Sequence, residues 1–351
     1  MSEPDVATSG AGSGTDPSRA DPDVLDESLD PQSGDEPELA SEPRERGALI
    51  IGEALIDVVR RPDGSTQEHP GGSPANVALG LGRLGRPVHL LSWFGPDAHG
   101  RMLREHLAAS KVTIVPGSDS AGRTSVAEAT LASDGAASYV FDLTWEVPES
   151  WASPSSPPIV VHSGSIAAVL EPGGSDVANV LLAHRESATI TYDPNVRPSL
   201  MPAAAATRPI VENLVAVADV VKVSDEDLAW LADAPPLETA GRWAMAGPAL
   251  VVVTMGGEGA VALTSDGRRV EVTAPPVTVA DTVGAGDSFM AGLIDGLWAA
   301  NLLGADRRDA LRRVPDDTIR DVLHRCALIA AITVSRPGAD PPRSAEIPDI
   351  A

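Results

Sequence analysis

Asp281-Thr-Val-Gly-Ala-Gly-Asp287, followed by Ser288-Phe-Met-Ala-Gly-Leu-Ile294, is the stretch of this 351-residue chain that decides its fold. It predicts a loop of small residues that leads into the first turn of a helix. The amides of Gly284, Ala285 and Gly286 have little side-chain cover, and amides at a helix start have no partner within the helix. Together with the helix dipole they suit an anionic oxygen. Asp287 places a carboxylate at the same point, where it is either a helix cap or a base beside a phosphate.

The chain before this loop alternates between short apolar runs and helical segments, and this alternation predicts a parallel sheet with helices on both of its faces. The run 54–59 is expected to continue the first strand, and Ser73 is expected to cap a helix that starts at Pro74. Strands are predicted near 48–52, 88–92, 159–162, 188–192, 219–223 and 250–254, and helices near 74–85, 97–109, 174–185, 203–217 and 225–232.

Residues 123–145 interrupt this alternation. Two β-rich runs, 123–131 and 138–143, are joined by Ala132-Ser-Asp-Gly-Ala136, which is typical of a hairpin. A second hairpin is predicted through Ser265-Asp-Gly267. We expect the first hairpin to cover the carboxyl edge of the sheet.

Residues 1–46 differ in composition from the rest of the chain. They hold thirteen acidic and three basic residues and few large apolar ones. Such a segment buries too little apolar surface to offset the entropy of ordering it. The sequence therefore predicts a disordered acidic tail over 1–46 and a folded domain over 47–351.

The bulk composition excludes several classes of protein. A net charge of -24 disfavours a nucleic-acid partner, because phosphate backbones require a basic face. The single cysteine, Cys326, allows neither a disulfide framework nor a cysteine zinc cluster. Apolar runs fall short of the roughly 20 residues that span a bilayer, and a secretory signal is not evident. A cytoplasmic protein without a membrane partner is expected.

Polar residues follow several of the predicted strands. In an open parallel sheet, ligands bind outside the carboxyl ends of the strands. Asp57 and Asn76 offer directional hydrogen bonds there, and Gly72 permits close approach, so these residues could form a polyol site. Each of them alone could equally be a cap, a turn residue or a structural hydrogen-bond partner. The chain has no Gly-x-x-x-x-Gly-Lys-Ser/Thr loop, which excludes a P-loop nucleotide site.

Two segments, Gly71-Gly-Ser-Pro-Ala-Asn-Val77 and Asp281-Thr-Val-Gly-Ala-Gly-Asp-Ser-Phe289, resemble the signatures of the ribokinase-like (PfkB) carbohydrate kinases. The resemblance extends from about Ala48 to the end of the chain. Within the family the chain is most similar to fructokinases. The phrases that carry this similarity are Gly52-Glu-Ala-Leu-Ile-Asp57, His162-Ser-Gly-Ser-Ile166, Asp193-Pro-Asn-Val-Arg197 and Val221-Lys-Val-Ser-Asp-Glu-Asp227.

The resemblance implies a three-layer αβα domain with a mostly parallel central sheet and a small β lid, formed by segments near 59–70 and 123–145. It also implies an ATP-dependent sugar kinase. Asp287 would accept the proton of a sugar primary hydroxyl while that oxygen attacks the γ-phosphate of ATP. The amides of Gly284, Ala285 and Gly286 would stabilise the transferring charge. D-Fructose, phosphorylated at O6, is the expected sugar.

The remaining site residues are also implied by the resemblance. Mg²⁺ would accompany ATP, and a K⁺ site beside the anion hole is implied. The family's Asn-x-x-Glu element falls on Ser224 and Asp227, which replace both of its ends. Sugar contacts map onto Asp57, Gly72, Asn76 and Arg197; cofactor contacts onto Lys222, Ser224, Asp227, Thr254, Gly256 and Gly259; and K⁺ ligands onto Asp281, Val283, Thr333 and Gly338.

Two alternatives remain open at this point. One is a kinase for 2-keto-3-deoxygluconate or a related sugar, whose acidic substrate would need an additional cation such as Arg123. The other is a non-catalytic family member that acts as a binding or scaffolding protein. The intact Asp287 argues against the second. Apolar residues of the lid, Val140, Phe141 and Trp145, predict a homodimer formed through the lid.

Overall fold

The computed structural model describes residues 46–131 and 137–348. The predicted acidic tail therefore lies outside the described residues, apart from Arg46. The predicted hairpin turn at 132–136 lies outside them as well.

Nine strands of the described chain form one large sheet in the order β13-β12-β11-β10-β9-β8-β1-β4-β5. Seven of these strands are parallel, and β12 and β13 join one edge in antiparallel pairing. Strands β1, β8 and β9 are buried along their whole length, as expected where helices cover both faces. The bounds are β1 Ala48–Ile51, β4 Val88–Leu91, β5 Val112–Ile114, β8 Val160–Gly164, β9 Thr189–Asp193, β10 Val220–Ser224, β11 Leu250–Thr254, β12 Ala260–Thr264 and β13 Arg269–Val272.

Helices cover this sheet on both faces, and alternate residues of β1 pack against each layer. Ala48 and Ile50 belong to one apolar core with α1, α2, α7 and α9, whereas Leu49 and Ile51 belong to the other with α3 to α6. The predicted three-layer αβα architecture is confirmed. The bounds are α1 Ser73–Arg83, α2 Ala98–Ala108, α3 Gly173–His184, α4 Ala204–Val217, α5 Asp225–Leu231, α6 Pro236–Ala246, α7 Ala285–Ala299, α8 Arg308–Arg312 and α9 Asp316–Val334.

A second, four-stranded sheet has the order β3-β2-β6-β7. Its strands are β2 Leu55–Arg60, β3 Thr66–Gly71, β6 Ser125–Leu131 and β7 Ala137–Asp142, and we call it the lid sheet. The expectation that 54–59 continues the first strand is wrong, because the chain leaves the large sheet after β1 and enters the lid sheet as β2. Gly52 lies at this change of direction with φ of 151°, and a Cβ there would lie 2.3 Å from Pro74.

Across 46–131 and 137–348, none of the helices combines the length and apolarity needed to traverse a lipid bilayer.

Candidate active site

The start of α7 forms the centre of the site. Gly284 precedes the helix in the left-handed conformation, with φ of 75°, and a Cβ on it would lie 2.6 Å from the Cβ of Ala339. The first amide of the helical ladder is that of Ser288, which donates to the Gly284 carbonyl at 2.8 Å. The amides of Gly286 and Asp287 precede it and lack a carbonyl one helical turn earlier. This is the local geometry that binds anions at helix starts.

The carboxylate of Asp287 is buried and faces other elements of the fold. Its Oδ1 accepts hydrogen bonds from Ser73 Oγ at 2.7 Å and from Asn195 Nδ2 at 3.3 Å, and its Oδ2 accepts one from Asn76 Nδ2 at 2.8 Å. These donors come from the start of α1 and from the loop that follows β9. The three of them hold the carboxylate beside the amides of α7 and compensate its burial.

The expectation that Ser73 caps α1 through its side chain is wrong. Gly72 is the residue before the helix, with φ of 101°, and it carries no side chain that could cap. A Cβ on Gly72 would lie 2.4 Å from the Glu53 carbonyl oxygen, so only glycine fits this close turn. Ser73 is thereby the first residue of the helix, and its hydroxyl donates to Asp287 instead.

A buried ion pair lies next to the start of α7. Lys222 Nζ donates to Asp193 Oδ2 at 2.9 Å, and both side chains are buried. A Cβ on Gly286 would lie 2.9 Å from Lys222 Nζ, which puts the ammonium group against the first turn of α7. Burial alone lowers the pKa of Lys222, but Asp193 and Asp227 outweigh it and raise that pKa. Burial raises the pKa of Asp193 to about 6, and the Lys222 ammonium opposes this rise.

Ser224 and Asp227 form a reciprocal cap at the start of α5. Ser224 Oγ accepts from the Asp227 amide at 3.0 Å, and Asp227 Oδ2 accepts from the Ser224 amide at 3.1 Å. The other oxygen of Asp227 accepts from the Val196 amide at 2.9 Å. Both carboxylate oxygens of Asp227 are thus used by the backbone, and they connect α5 to the loop after β9.

Of the four residues predicted to contact sugar, Asn76 bonds Asp287 directly, Gly72 precedes the helix of Asn76, and Arg197 reaches Asp287 through Asn195; Asp57 is connected to them through the charge of Arg197. Asp57 is on β2, where burial raises its pKa to about 6 while the charges of His69 and Arg197 oppose this rise. Arg197 is exposed and donates to Asn195 Oδ1 at 2.7 Å, which links it to the Asp287 cluster. Gly72 and Asn76 belong to the turn and helix that contact Asp287 directly. The site therefore combines a carboxylate, amide groups and a guanidinium, all of which can bind hydroxyl oxygens.

The glycines predicted to contact nucleotide form a tight turn after β11. Thr254 ends β11 directly beside Ser224 of β10, so the two strands end together. The Met255 amide donates to the Gly259 carbonyl at 2.9 Å, and Gly256 has φ of 50°. A Cβ on Gly259 would lie 2.0 Å from the Val272 carbonyl oxygen.

Asp281 connects the loop before α7 to the loop after α9. Its Oδ1 accepts from the Val283 amide at 3.0 Å and its Oδ2 from the Gly338 amide at 2.9 Å. The Thr333 hydroxyl donates to the Ile329 carbonyl, and the Thr333 carbonyl accepts from the Arg336 amide. Three of the four residues predicted for K⁺ are therefore in direct contact, and the fourth lies at the end of α9.

A metal centre built from side chains is not found in the part of the chain that the structure describes: no three His, Cys, Asp or Glu side chains there are grouped to hold an ion. A cation at Asp281 would depend on backbone carbonyls, which suits a weakly held monovalent ion. One carboxylate oxygen near the α7 start, Asp193 Oδ1, is buried and has no hydrogen-bond partner among the described residues.

Sequence reasoning did not predict three contacts: those of Ser73 and Asn195 with the Asp287 carboxylate, and that of Asp193 with Lys222. Asn195 has a signal that could have identified it, since it follows Asp193-Pro at the end of a strand. Its backbone has φ of 38°, a conformation that asparagine tolerates better than most residues. For Ser73 the sequence indicates only a local role, as the cap of α1.

A buried carboxylate held beside the amide-rich start of a helix, at the carboxyl edge of a parallel sheet with a second, smaller sheet, fits a phosphotransferase that acts on hydroxyl groups. Residues 46–345 match the pfkB family carbohydrate kinases, and the chain belongs to this family. It is 34% identical over 285 residues to a fructokinase of Rhizobium leguminosarum bv. trifolii, covering 76% of this chain and 86% of that protein.

Solved structures agree with this assignment. A fructokinase with bound ATP from Xylella fastidiosa superposes with a TM-score of 0.73 at 25% identity, covering 84% of this chain and 93% of that one. A double mutant of fructokinase from Vibrio cholerae O395, in a form with fructose, ADP and potassium bound, has a TM-score of 0.67 at 25% identity and covers 84% and 94%. The predicted ribokinase-like fold is confirmed, and the protein is a sugar kinase, a phosphotransferase with an alcohol group as acceptor.

Proposed function

We propose that this kinase transfers the γ-phosphate of ATP to O6 of D-fructose and releases ADP and fructose 6-phosphate. The observation that carries this proposal is the Asp287 carboxylate, held by Ser73, Asn76 and Asn195 at the amide-rich start of α7. The names of the relatives support fructose as the sugar. At 30–34% identity, these relatives carry the names fructokinase or probable fructokinase.

In the proposed reaction, Asp287 accepts the proton of the O6 hydroxyl. The oxygen forms a bond to the γ-phosphorus while the bond from that phosphorus to the bridging oxygen of ADP breaks. The amides at 284–286 and the Lys222 ammonium stabilise the negative charge on the transferring group. Phosphoryl transfer depends mainly on positioning and charge stabilisation, so a carboxylate of ordinary basicity is sufficient.

The sugar is bound by Asp57, Gly72, Asn76 and Arg197. Closure of the lid sheet over the sugar would exclude water and limit hydrolysis of ATP. On the nucleotide side we assign Thr254, Gly256 and Gly259 to ATP, because the turn at 256–259 leaves backbone groups at the edge where β10 and β11 end.

The residues around the site fit the two cations differently. Mg²⁺, which screens phosphate charge when it is bound with ATP, would reach Asp227 only through water, because both oxygens of that carboxylate accept amides. For K⁺ we assign the loop of Asp281, where the carbonyls of Val283, Thr333 and Gly338 would be the main ligands, because both oxygens of the Asp281 carboxylate also accept amides. These ligands join the loop before α7 to the end of α9.

The alternative substrate, 2-keto-3-deoxygluconate, is less well supported. Its carboxylate requires a cation, and the candidate for this role, Arg123, forms an ion pair with Asp142 on the lid sheet. Arg123 also shares its groove with Glu146. An uncharged sugar such as fructose avoids competition with these carboxylates.

The lid sheet also supports the proposed homodimer. Tyr139 and Phe141 stack with ring centroids 6.0 Å apart, and Val140 between them is 65% exposed. A second copy of this strand would cover these apolar side chains. A cytoplasmic location stays a prediction from the sequence.

A coupled assay of ADP formation over a panel of sugars tests the proposed function. We expect turnover with D-fructose and a loss of roughly 10²–10⁴-fold in kcat for Asp287→Asn, because the general base is removed. Asp317→Asn, which changes an exposed aspartate at the start of α9, is the matched control and should retain full turnover. Higher turnover with 2-keto-3-deoxygluconate than with fructose would overturn the sugar assignment, and near-normal turnover of Asp287→Asn would overturn the base assignment.

A further inference from the structure

Glu53 lies in the turn between β1 and β2 and is only 5% exposed. Its two carboxylate oxygens serve different parts of the fold. Oε1 accepts from the Ser73 amide at 3.3 Å, and Oε2 accepts from the Ala167 amide at 3.3 Å. One carboxylate therefore joins the start of α1 to the turn Ser165–Ala168, which follows β8.

The main chain of Glu53 supports the same segment. Its carbonyl oxygen lies against Gly72, where a Cβ would approach it to 2.4 Å. Glu53 thus contacts Gly72 with its backbone carbonyl and Ser73 with its side chain. Ser73 in turn contacts the proposed base, because its Oγ donates a hydrogen bond to Asp287 Oδ1 at 2.7 Å. Ser73 is therefore the one residue that links Glu53 to the proposed base through contacts.

The second partner of Glu53, Ala167, directly follows Ile166, which lies in the wall of a cavity of about 210 Å³. Glu53, Trp145 and Ile166 line this cavity, and Trp145 Nε1 donates to the Ala167 carbonyl at 2.9 Å. Trp145 follows the last strand of the lid sheet. Glu53 therefore connects the segment that bears Ser73 to the place where the lid sheet rejoins the body.

A role in packing alone does not explain a carboxylate at this position. Burial raises the pKa of Glu53 to about 7, against the opposing effects of the Ser165 and Ser73 hydrogen bonds and the Arg197 charge. Glutamine has the same shape without this penalty. It offers only one acceptor oxygen, whereas the two amides of Ser73 and Ala167 require two.

We propose that Glu53 is a positioning residue for phosphoryl transfer, which fixes Ser73 so that its hydroxyl holds the Asp287 carboxylate in the reactive orientation. The proposal rests on the role of Asp287 given above. Misplacement of a reacting group by a fraction of an ångström lowers the rate of the chemical step more than it lowers substrate affinity.

A double-mutant cycle on kcat tests this inference, using any sugar that the wild-type enzyme phosphorylates. We expect Glu53→Gln and Ser73→Ala each to lower kcat by roughly tenfold with little change in the KM for ATP. The double variant should be no slower than Ser73→Ala alone, because Glu53 acts through the Ser73 hydroxyl. Glu212→Gln, an exposed carboxylate change on α4, is the control and should leave kcat unchanged.

A wild-type kcat in Glu53→Gln or in Ser73→Ala would overturn the inference. So would a double variant in which the two decreases in kcat multiply, because that is expected when the two residues act independently. Thermal unfolding of each variant checks the fold. If Glu53→Gln is unfolded, Glu53→Asp, which keeps the charge but is too short for both amides, replaces it in the same cycle. Failure of the proposed function appears separately, as retained activity in Asp287→Asn.

Discussion

Asp287 shows how a buried carboxylate is tolerated at the start of a helix. The helix dipole favours the negative charge, and three side-chain donors satisfy its oxygens. Because these donors come from α1 and from the loop after β9, the carboxylate is directed to the carboxyl edge of the sheet. The amides of Gly286 and Asp287 at the same helix start have no carbonyl partner one helical turn earlier, and we propose that they face the phosphate.

The buried Lys222–Asp193 pair leads to a prediction about stability. We expect Lys222→Met to lower the free energy of unfolding by about 3 kcal/mol, because it leaves a buried carboxylate without its cation. Adding Asp193→Asn to Lys222→Met should restore most of this loss but not the kinase activity, since the cation beside Gly286 is still missing. Denaturant unfolding and kcat are measured on both variants. Normal stability of Lys222→Met would show that the pair is not ionised in the folded protein.

Asp57 leads to a prediction about pH. Burial raises its pKa to about 6, and we assign the ionised form to sugar binding. The carboxyl gains a proton as the pH falls through this value, so the sugar KM should rise on the acid side. Between about pH 7.5 and pH 5 the sugar KM should increase roughly tenfold. This is the change expected when one group has a pKa one unit above the final pH. The KM of Asp57→Asn should be higher and nearly flat over this range; a wild-type KM that is flat as well would contradict the assignment.

At the scale of elements, the lid sheet is where sequence reasoning and structure differ most. The run 54–59 has the apolar character of a continued core strand, but β2 pairs with β3 and β6 instead of remaining in the large sheet. The local apolar pattern of a segment predicts that it forms a strand. It does not predict which sheet the strand joins, because a partner such as β6 is distant in sequence. The helix predicted at 74–85 is found at Ser73–Arg83, so it begins one residue before the predicted start and ends two residues before the predicted end.

The exposed apolar strand of the lid leads to a prediction about assembly. Val140→Asp should shift the protein from dimer toward monomer, because a buried charge at a dimer interface is unfavourable. Met245→Asp is the matched control, since Met245 is 80% exposed on α6. Sedimentation velocity on both variants measures the outcome. A monomeric wild-type protein, or equal dissociation in the two variants, would contradict assembly through the lid.

At the scale of the whole molecule, the net charge of -24 is the dominant electrostatic feature. Repulsion among like charges destabilises the folded state and is screened by salt. Raising NaCl from about 20 mM to about 300 mM should therefore increase Tm by about 2–4 °C. KCl at equal ionic strength should add a further increase that Asp281→Asn abolishes. A Tm that does not respond to NaCl would contradict the repulsion, and equal effects of the two salts would contradict the K⁺ site.

By itself, the sequence determined the alternation of strands and helices, the amide-rich start of α7 and the family. These features depend on apolar periodicity, on glycines with positive φ and on a short motif, all of which are local along the chain. Only the tertiary structure decided which side chains hold Asp287. Ser73 is 214 residues away in sequence and Asn195 is 92 residues away, and each has a plausible local role of its own. Hydrogen bonds over such separations depend on the topology of the sheet: parallel pairing brings the carboxyl ends of the strands to a common edge, and the strand order decides which loops are neighbours there.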